Sequence, residues 1–284
     1  MTSRGAAGGS PGGLRLGGLG ARALARVLAI ALLALAAGGC GARAPERWVA
    51  EPVRALPHDR EAFTQGLLYH QGRFYESTGR YGLSDLREVD PETGAVVRRR
   101  PLDARYFGEG LARVGDRLIQ LTYREGVAIA YDLDTFEEIE RFRYDGEGWG
   151  LCFDGATLWM SDGSSSLQRR DPATFALLGR LEVRREGRPV VRLNELACAE
   201  DRVYANVWLS NELVRVDPAD GRVDAVIDAS ALVPDDPRVL GDRDAVLNGI
   251  AHDPESGRWW LTGKLWPVLY EVRFVPASAT SANR

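Results

Sequence analysis

A single lysine, Lys264, stands in this chain against thirty-five arginines. Arginine evidently serves wherever a positive charge suffices, so the retained lysine marks a position that wants a compact, flexible ammonium rather than a planar fork. One carboxylate, Glu109, lies between Gly108 and Gly110 with no base beside it in sequence. A carboxylate of that kind can pass a proton, and an aimed ammonium can stabilise an oxyanion. The amides of Gln65, Asn194 and Asn248 and the rings of Tyr123, Trp149 and Trp208 complete a set typical of a small-ligand pocket, aromatic walls with a few convergent polar groups. The three histidines, His58, His70 and His252, are scattered and form no HxH or HExxH spacing. Neither a His-ligated metal nor a Ser-His-Asp triad has support, and no cofactor is expected.

What gathers these residues is a repeat. QGLLYHQGRFYEST, EGLARVGDRLIQLT, WGLCFDGATLWMS, NELACAEDRVYAN and NGIAHDPESGRWWLT are five apolar hairpins opening at Gly66, Gly110, Gly150, Glu195 and Gly249, 40 to 54 residues apart. Asp-led turns at Asp90, Asp132, Asp171 and Asp217 follow four of them. Two β-rich hairpins per unit, with no amphipathic helix, predict an all-β five-bladed propeller. The last unit lacks an outer strand after PVLYEVRF (267–274), and WVAEPVRAL (48–56) is the obvious donor, closing the ring by its N-terminal strand. Inner strands of such a ring run the same way, so residues just before each hairpin reach one mouth of the channel, and antiparallel pairing returns the residues just after it to that mouth. The entry set is Gln65, Glu109, Trp149, Asn194 and Asn248; the return set is Tyr123, Asp162, Trp208 and Lys264. Asp162, in SDGS, reads as a turn-former.

Residues 1–39 carry four arginines and no acid, then the apolar run 27–37 and small residues before Cys40. This is an export signal whose apolar core is too short to be a lasting span. Cys40 after small residues resembles a bacterial lipobox, although Ala37 stands where Leu is usual, so Cys40 is expected to be lipidated, with 40–47 as a tether and 48–284 as the propeller. The expected location is the periplasm or cell envelope of a bacterium, with membrane contact only through the lipid. Removing the leader takes the formal charge from -4 to -8, which disfavours nucleic acid as a partner. A closed ring needs no partner to bury its core, so a monomer is expected. An oxidising compartment permits a bridge between Cys152 and Cys198, but two buried thiols pack equally well, and the one-residue difference in their repeat positions suggests side chains facing apart, so unbridged thiols are the expectation.

FTQGL, YESTGRYGLS, FGEG, EGWGL, MSDGS, LNEL, YANVW and LNGIA with TGKLWP occur in that order between Phe63 and Pro267. Together they resemble the plant-type and bacterial glutaminyl cyclases, the glutamine cyclotransferases, across roughly 48–274. The resemblance implies a five-bladed propeller that converts the N-terminal glutaminyl residue of a peptide or protein to pyroglutamyl with release of ammonia, without a metal. It makes Glu109 the acid/base, Lys264 and Asn194 polar groups acting on the reacting amide, Gln65 their neighbour, and Phe63, Phe107, Trp149 and Trp208 the aromatic wall. Tyr123 departs from the family's usual Trp, which implies an altered substrate preference. Interblade packing for Trp149 and Trp208, and strand-end capping for Gln65, Asn194 and Asn248, remain open from the residues alone. Two rival functions use the same scaffold: a calcium-dependent lactonase-like propeller, and a non-catalytic surface propeller that binds protein partners.

Overall fold

The computed structural model describes Gly13 and residues 44–277. Apart from Gly13, the export segment lies outside the described residues, as do Cys40 and residues 41–43 of the tether. Residues 44–277 form one compact unit, and its architecture is all-β and propeller-like.

The first strand, β1 (Glu46–Pro57), is followed by three antiparallel four-stranded meanders: β2 (Thr64–His70) to β5 (Val96–Pro101), β6 (Gly108–Val114) to β9 (Glu138–Arg143), and β10 (Leu151–Phe153) to β13 (Leu177–Glu182). A short hairpin, β14 (Arg184–Arg185) with β15 (Arg188–Pro189), leads to β16 (Leu193–Ala199), β17 (Arg202–Val207), β18 (Glu212–Val216) and β19 (Val223–Asp228). A five-residue helix, α1 (Pro237–Gly241), interrupts the run to β20 (Leu247–Asp253), β21 (Arg258–Gly263) and β22 (Val268–Pro276). Polar turns with Asp or Gly close the hairpins. In the turn after β4 (Asp85–Val89), for example, Asp90 accepts from the N–H groups of Glu92 and Thr93, the Asx geometry that its sequence signals.

The first strands of these units pack side by side in the circular order β2, β6, β10, β16, β20 and back to β2. Between neighbouring units lie five apolar clusters, built from alternate residues of facing sheets. The expected strand donation is present: β1 runs antiparallel to β22 from Trp48 opposite Pro276 to Pro57 opposite Val268. The start of β1 also pairs parallel with β19, Glu46 to Val49 against Ala225 to Asp228, fusing the last two units into one eight-stranded sheet. One strand thus covers two otherwise open edges.

The expectation of two unbridged thiols is overturned, because Cys152 and Cys198 form a disulfide across a Cα separation of 5.4 Å. Units arranged around an axis present equivalent positions in the same rotational sense, so two equivalent residues cannot meet. Leu196 packs back toward the preceding unit, whereas Cys152 packs forward toward the next. Cys198 shares the parity of Leu196, so the one-residue offset is what turns the two thiols toward each other.

Candidate active site

Four of the five inner strands break register where the sequence places polar residues. The pairing skips between Thr64 and Gly66, Gly108 and Leu111, Leu193 and Leu196, and Leu247 and Ile250. Gln65, Glu109, Asn194 and Asn248 sit inside those bulges, which re-aim side chains that a regular strand would send into the packing between sheets. Small residues permit it: a Cβ at Gly110 would lie 2.5 Å from the Leu151 nitrogen, and one at Gly150 would lie 2.1 Å from the Asn194 carbonyl oxygen. The inner strands approach too closely for any side chain there.

A cavity of about 330 Å³ opens at this mouth, lined by Phe63, Gln65, Phe107, Glu109, Tyr123, Trp149, Asn194, Trp208, Asp244 and Lys264. Nine of these are positions singled out in the sequence, and they come from every unit of the circuit. Asn248 is the exception. It lies fully buried beneath the cavity, where its Nδ2 donates to the Thr64 carbonyl at 2.9 Å and to Gln65 Oε1 at 3.4 Å. It orients Gln65 rather than facing the cavity. Asp162 also stays out, bonded to Ser164 and paired with Arg180 at 3.5 Å, the turn role expected of it.

Glu109 is 4% exposed and takes one hydrogen bond, from Gln65 Nε2 to its Oε1 at 3.1 Å. Burial pushes its carboxyl well above the usual carboxylate range, Lys264 opposes that rise, and Glu147 and Glu125 reinforce it. Lys264 is 5% exposed, and burial pushes its ammonium down to about 8 against the upward pull of Glu109 and Asp244. Its Nζ lies 4.8 Å from the centroid of the Phe63 ring, a cation–π contact that leaves its protons free for the cavity. The segment carrying it is fixed at successive residues: Lys264 N–H to the Val246 carbonyl at 2.9 Å, Leu265 N–H to the Ala62 carbonyl at 2.7 Å, and Trp266 Nε1 to the Ala245 carbonyl at 3.1 Å.

The aromatic wall is half-buried and mutually supported. Trp149 and Trp208 meet edge to face at 5.5 Å, Phe63 and Phe107 do so at 6.2 Å, and Phe107 leans on Tyr123 at 5.7 Å. Trp149 and Trp208 stand outside the five apolar clusters between units: they meet each other across two units, and both rings border the cavity. A polar belt behind them is not signalled by the repeat. Trp149 Nε1 donates to Glu147, Arg124 donates to Glu147 and to the Tyr123 hydroxyl, and the guanidinium lies 4.4 Å from the Tyr123 ring centroid. This belt sets the tilt of two rings at once.

Asp244 is a second residue that sequence reasoning misses. It is exposed, follows α1, and comes from the segment between β19 and β20. Its signal is the 54-residue spacing between the fourth and fifth hairpins, longer than the others by about the length of that insertion. Glu195, the one side chain in a layer otherwise made of glycines, is fully buried under the cavity and accepts from Leu67 N–H at 3.2 Å and Ile250 N–H at 2.9 Å. Burial raises its carboxyl far above the usual range, opposed by those two bonds.

The site therefore presents one accessible, hard-to-ionise carboxylate, one easily neutralised ammonium, two side-chain amides and an aromatic enclosure. Such a carboxylate can move a proton between two nitrogens, and the ammonium can stabilise negative charge on an oxygen between them.

The chain matches the family model described as glutamine cyclotransferase over residues 25–274. It is 44% identical over 239 residues to a glutaminyl-peptide cyclotransferase of Arabidopsis thaliana, an alignment covering 82% of this chain and 73% of the relative. Its fold superposes on the crystal structure of Myxococcus xanthus glutaminyl cyclase with a TM-score of 0.77 at 45% identity, covering 82% of this chain and 99% of that one.

Proposed function

The chain belongs to the glutamine cyclotransferase family and is a glutaminyl-peptide cyclotransferase, and from that premise we propose that Glu109 carries the proton transfers of the reaction. The substrate is a peptide or protein whose N-terminal residue is glutamine. Its α-amine attacks the carbon of its own side-chain amide, and the new C–N bond closes the five-membered ring. Glu109 takes the proton that the attacking nitrogen loses and returns it to the departing nitrogen, which leaves as ammonia. A carboxyl raised above the usual carboxylate range suits both steps, and general acid–base catalysis of this kind contributes roughly 10²–10⁴-fold in rate.

Lys264 and Asn194 face the oxygen that becomes negative in the tetrahedral intermediate, and each strong donor of this kind contributes about 2.7–4 kcal/mol. Gln65 holds Glu109 in place and is itself held by Asn248. The rings of Phe63, Phe107, Tyr123, Trp149 and Trp208 fold the flexible glutaminyl side chain back onto its amine, so that ordering entropy is spent on binding rather than at the barrier. The observation that carries this reading is the convergence of Glu109, Gln65, Asn194 and Lys264 on one aromatic cavity.

We place this site on a five-bladed propeller closed by β1. The circular order of the inner strands supports it, as does the composition of the eight-stranded sheet, two four-strand sets joined at β1. The chain is a monomer, exported by residues 1–39 and held at the bacterial cell envelope through a lipid on Cys40, the reading that the leader and the small residues before that cysteine support. Radiolabelled fatty acid is expected to enter the full-length protein and to be lost from Cys40→Ala.

Mass spectrometry of a synthetic glutamine-initiated peptide tests the mechanism. Ammonia loss is expected with the wild type, with or without a chelator, and is expected to collapse in Glu109→Gln and Lys264→Ala. Activity that disappears on chelation, or survives in Glu109→Gln, would remove Glu109 from the role of proton carrier.

A further inference from the structure

Beside the catalytic cavity runs an open groove of about 760 Å³ whose walls include Arg60, Arg80, Arg238 and Arg243 against only Glu61 and Asp242. Two of the arginines are already engaged, Arg60 with Asp236 at 3.7 Å and Arg238 with Glu61 at 3.8 Å. The guanidinium groups of Arg80 and Arg243 have no ion-pair or hydrogen-bond partner among the described residues, and the mechanism uses neither.

Both arginines adjoin the cavity. The Arg80 guanidinium lies 4.8 Å from the centroid of Phe63, the ring that also carries Lys264, and Arg243 directly precedes the cavity residue Asp244. Leu265, next to Lys264, lines the groove. Arg80 is also held in an uncommon backbone conformation for a non-glycine residue, φ 141°. Three bonds to its carbonyl hold it there, from Leu83 N–H at 2.9 Å, Ser84 N–H at 2.8 Å and Ser84 Oγ at 2.8 Å. A guanidinium placed by a fixed loop and a stacked ring has lost much of its freedom before any ligand arrives, which favours binding a carboxylate.

We propose that this groove is a subsite for a carboxylate on the substrate chain just downstream of the cyclising glutamine, so that acidic glutaminyl peptides are the preferred substrates. It rests on the reading of the cavity as the glutaminyl site: with the glutamine enclosed there, the rest of the peptide must leave across the rim, and the Arg80–Arg243 side is the rim with unspent positive charge. On the neighbouring rim, where Tyr81 donates to Glu125, the one guanidinium, Arg124, is already bonded to Glu147, so no unpaired positive charge is offered there. The carboxylate can come from an Asp or Glu side chain or from the C-terminus of a short peptide.

The experiment measures kcat/KM for C-terminally amidated glutaminyl peptides in which one glutamate is moved through the second, third and fourth positions, with alanine and lysine versions as references. Short peptides ending in a free acid or an amide form a second arm. A glutamate at one of these positions is expected to raise kcat/KM roughly 3–10-fold over alanine, the size of one or two exposed charge pairs. That ratio is expected to fall toward one in Arg80→Gln, in Arg243→Gln and at high salt. Taking the ratio within each variant cancels any general loss of activity. Preference in the short-peptide arm alone identifies the C-terminal carboxylate as the group bound. Equal kcat/KM for acidic, neutral and basic peptides, or a preference that both variants retain, overturns the subsite while leaving the cyclase reading intact. If no peptide is cyclised, the cyclase reading fails, and the groove is judged on binding of the same peptides followed by indole fluorescence, where equal affinity for acidic and neutral sequences overturns it.

Discussion

The two ends of the channel hold cavities of almost equal size, about 330 Å³ at the catalytic mouth and about 320 Å³ at the other, the far one built by five inner strands and the catalytic one by three of them together with the loops that flank the ring. At the far mouth each strand contributes three consecutive residues of regular pairing: Leu67 to Tyr69, Leu111 to Arg113, Leu151 to Phe153, Leu196 to Cys198 and Ile250 to His252. Two residues earlier on those strands stand Gln65, Glu109, Trp149 and Asn194. The volume is the same and the chemistry is not. What separates them is the row of bulges, which turns polar side chains into the channel at one end only, and the Glu195 carboxylate that lies between. Burial alone does not make an active group: Glu109 and Glu195 are both raised by it, but both oxygens of Glu195 are taken by backbone N–H groups, whereas Glu109 has a single amide partner and an open cavity.

The largest test sets those two carboxylates against each other. Glu109→Gln keeps the shape and removes the proton carrier, so kcat is expected to fall roughly 10²–10⁴-fold with little change in melting temperature. Glu195→Ala leaves two buried N–H groups bare at a cost of about 1–3 kcal/mol each in stability, with kcat per folded molecule largely retained. Kinetics on both variants, normalised to folded protein by circular dichroism, check this. Equal loss of kcat in the two would erase the distinction between the mouth and the floor.

The far mouth is expected to matter for stability alone. Its Cys152–Cys198 bridge spans 46 residues, and opening it by Cys152→Ser with Cys198→Ser is expected to cost about 2–4 kcal/mol. For a domain of this size that is roughly 5–15 °C in melting temperature. Thermal unfolding reads the loss, and a parallel assay is expected to show kcat nearly unchanged. A variant that melts like the wild type would mean that the bridge adds nothing to the pairing of β10 with β16.

Much of the catalytic mouth is legible in the sequence because its residues sit at fixed positions of a repeat: once the hairpins are aligned, Gln65, Glu109, Trp149 and Asn194 fall at one height, and Lys264 stands out by composition. The donated strand β1 is legible because the last unit is visibly one strand short. Its parallel contact with β19 is not, since four residues of parallel pairing leave no pattern of their own. The disulfide eludes an argument that equates repeat position with direction, because facing side chains of neighbouring units require opposite parity. Glu195 hides behind its place in a glycine layer. Asp244 hides in an insertion that the repeat does not describe.

Asp244 supplies the subtlest test, because it lies at the mouth without belonging to the repeat. Burial pushes Lys264 down to about 8, while the carboxylates of Glu109 and Asp244 pull it up. If the charged ammonium is what stabilises the oxyanion, kcat falls as pH rises through that value, giving the basic limb of the profile. Asp244→Asn removes one of the two groups that raise the lysine, so the limb is expected to move to lower pH, with kcat below the limb changed far less than in Glu109→Gln. The cysteine double variant, altered only at the far mouth, is expected to keep the limb in place. A pH series of kcat on a glutaminyl peptide bearing no other group that titrates in the same range decides between these outcomes. A limb that stays put in Asp244→Asn, or moves upward, would show that the rim carboxylate is not coupled to Lys264. A limb that moves in the cysteine variant would show that the two ends of the channel are energetically joined, and their contrast would then be one of degree.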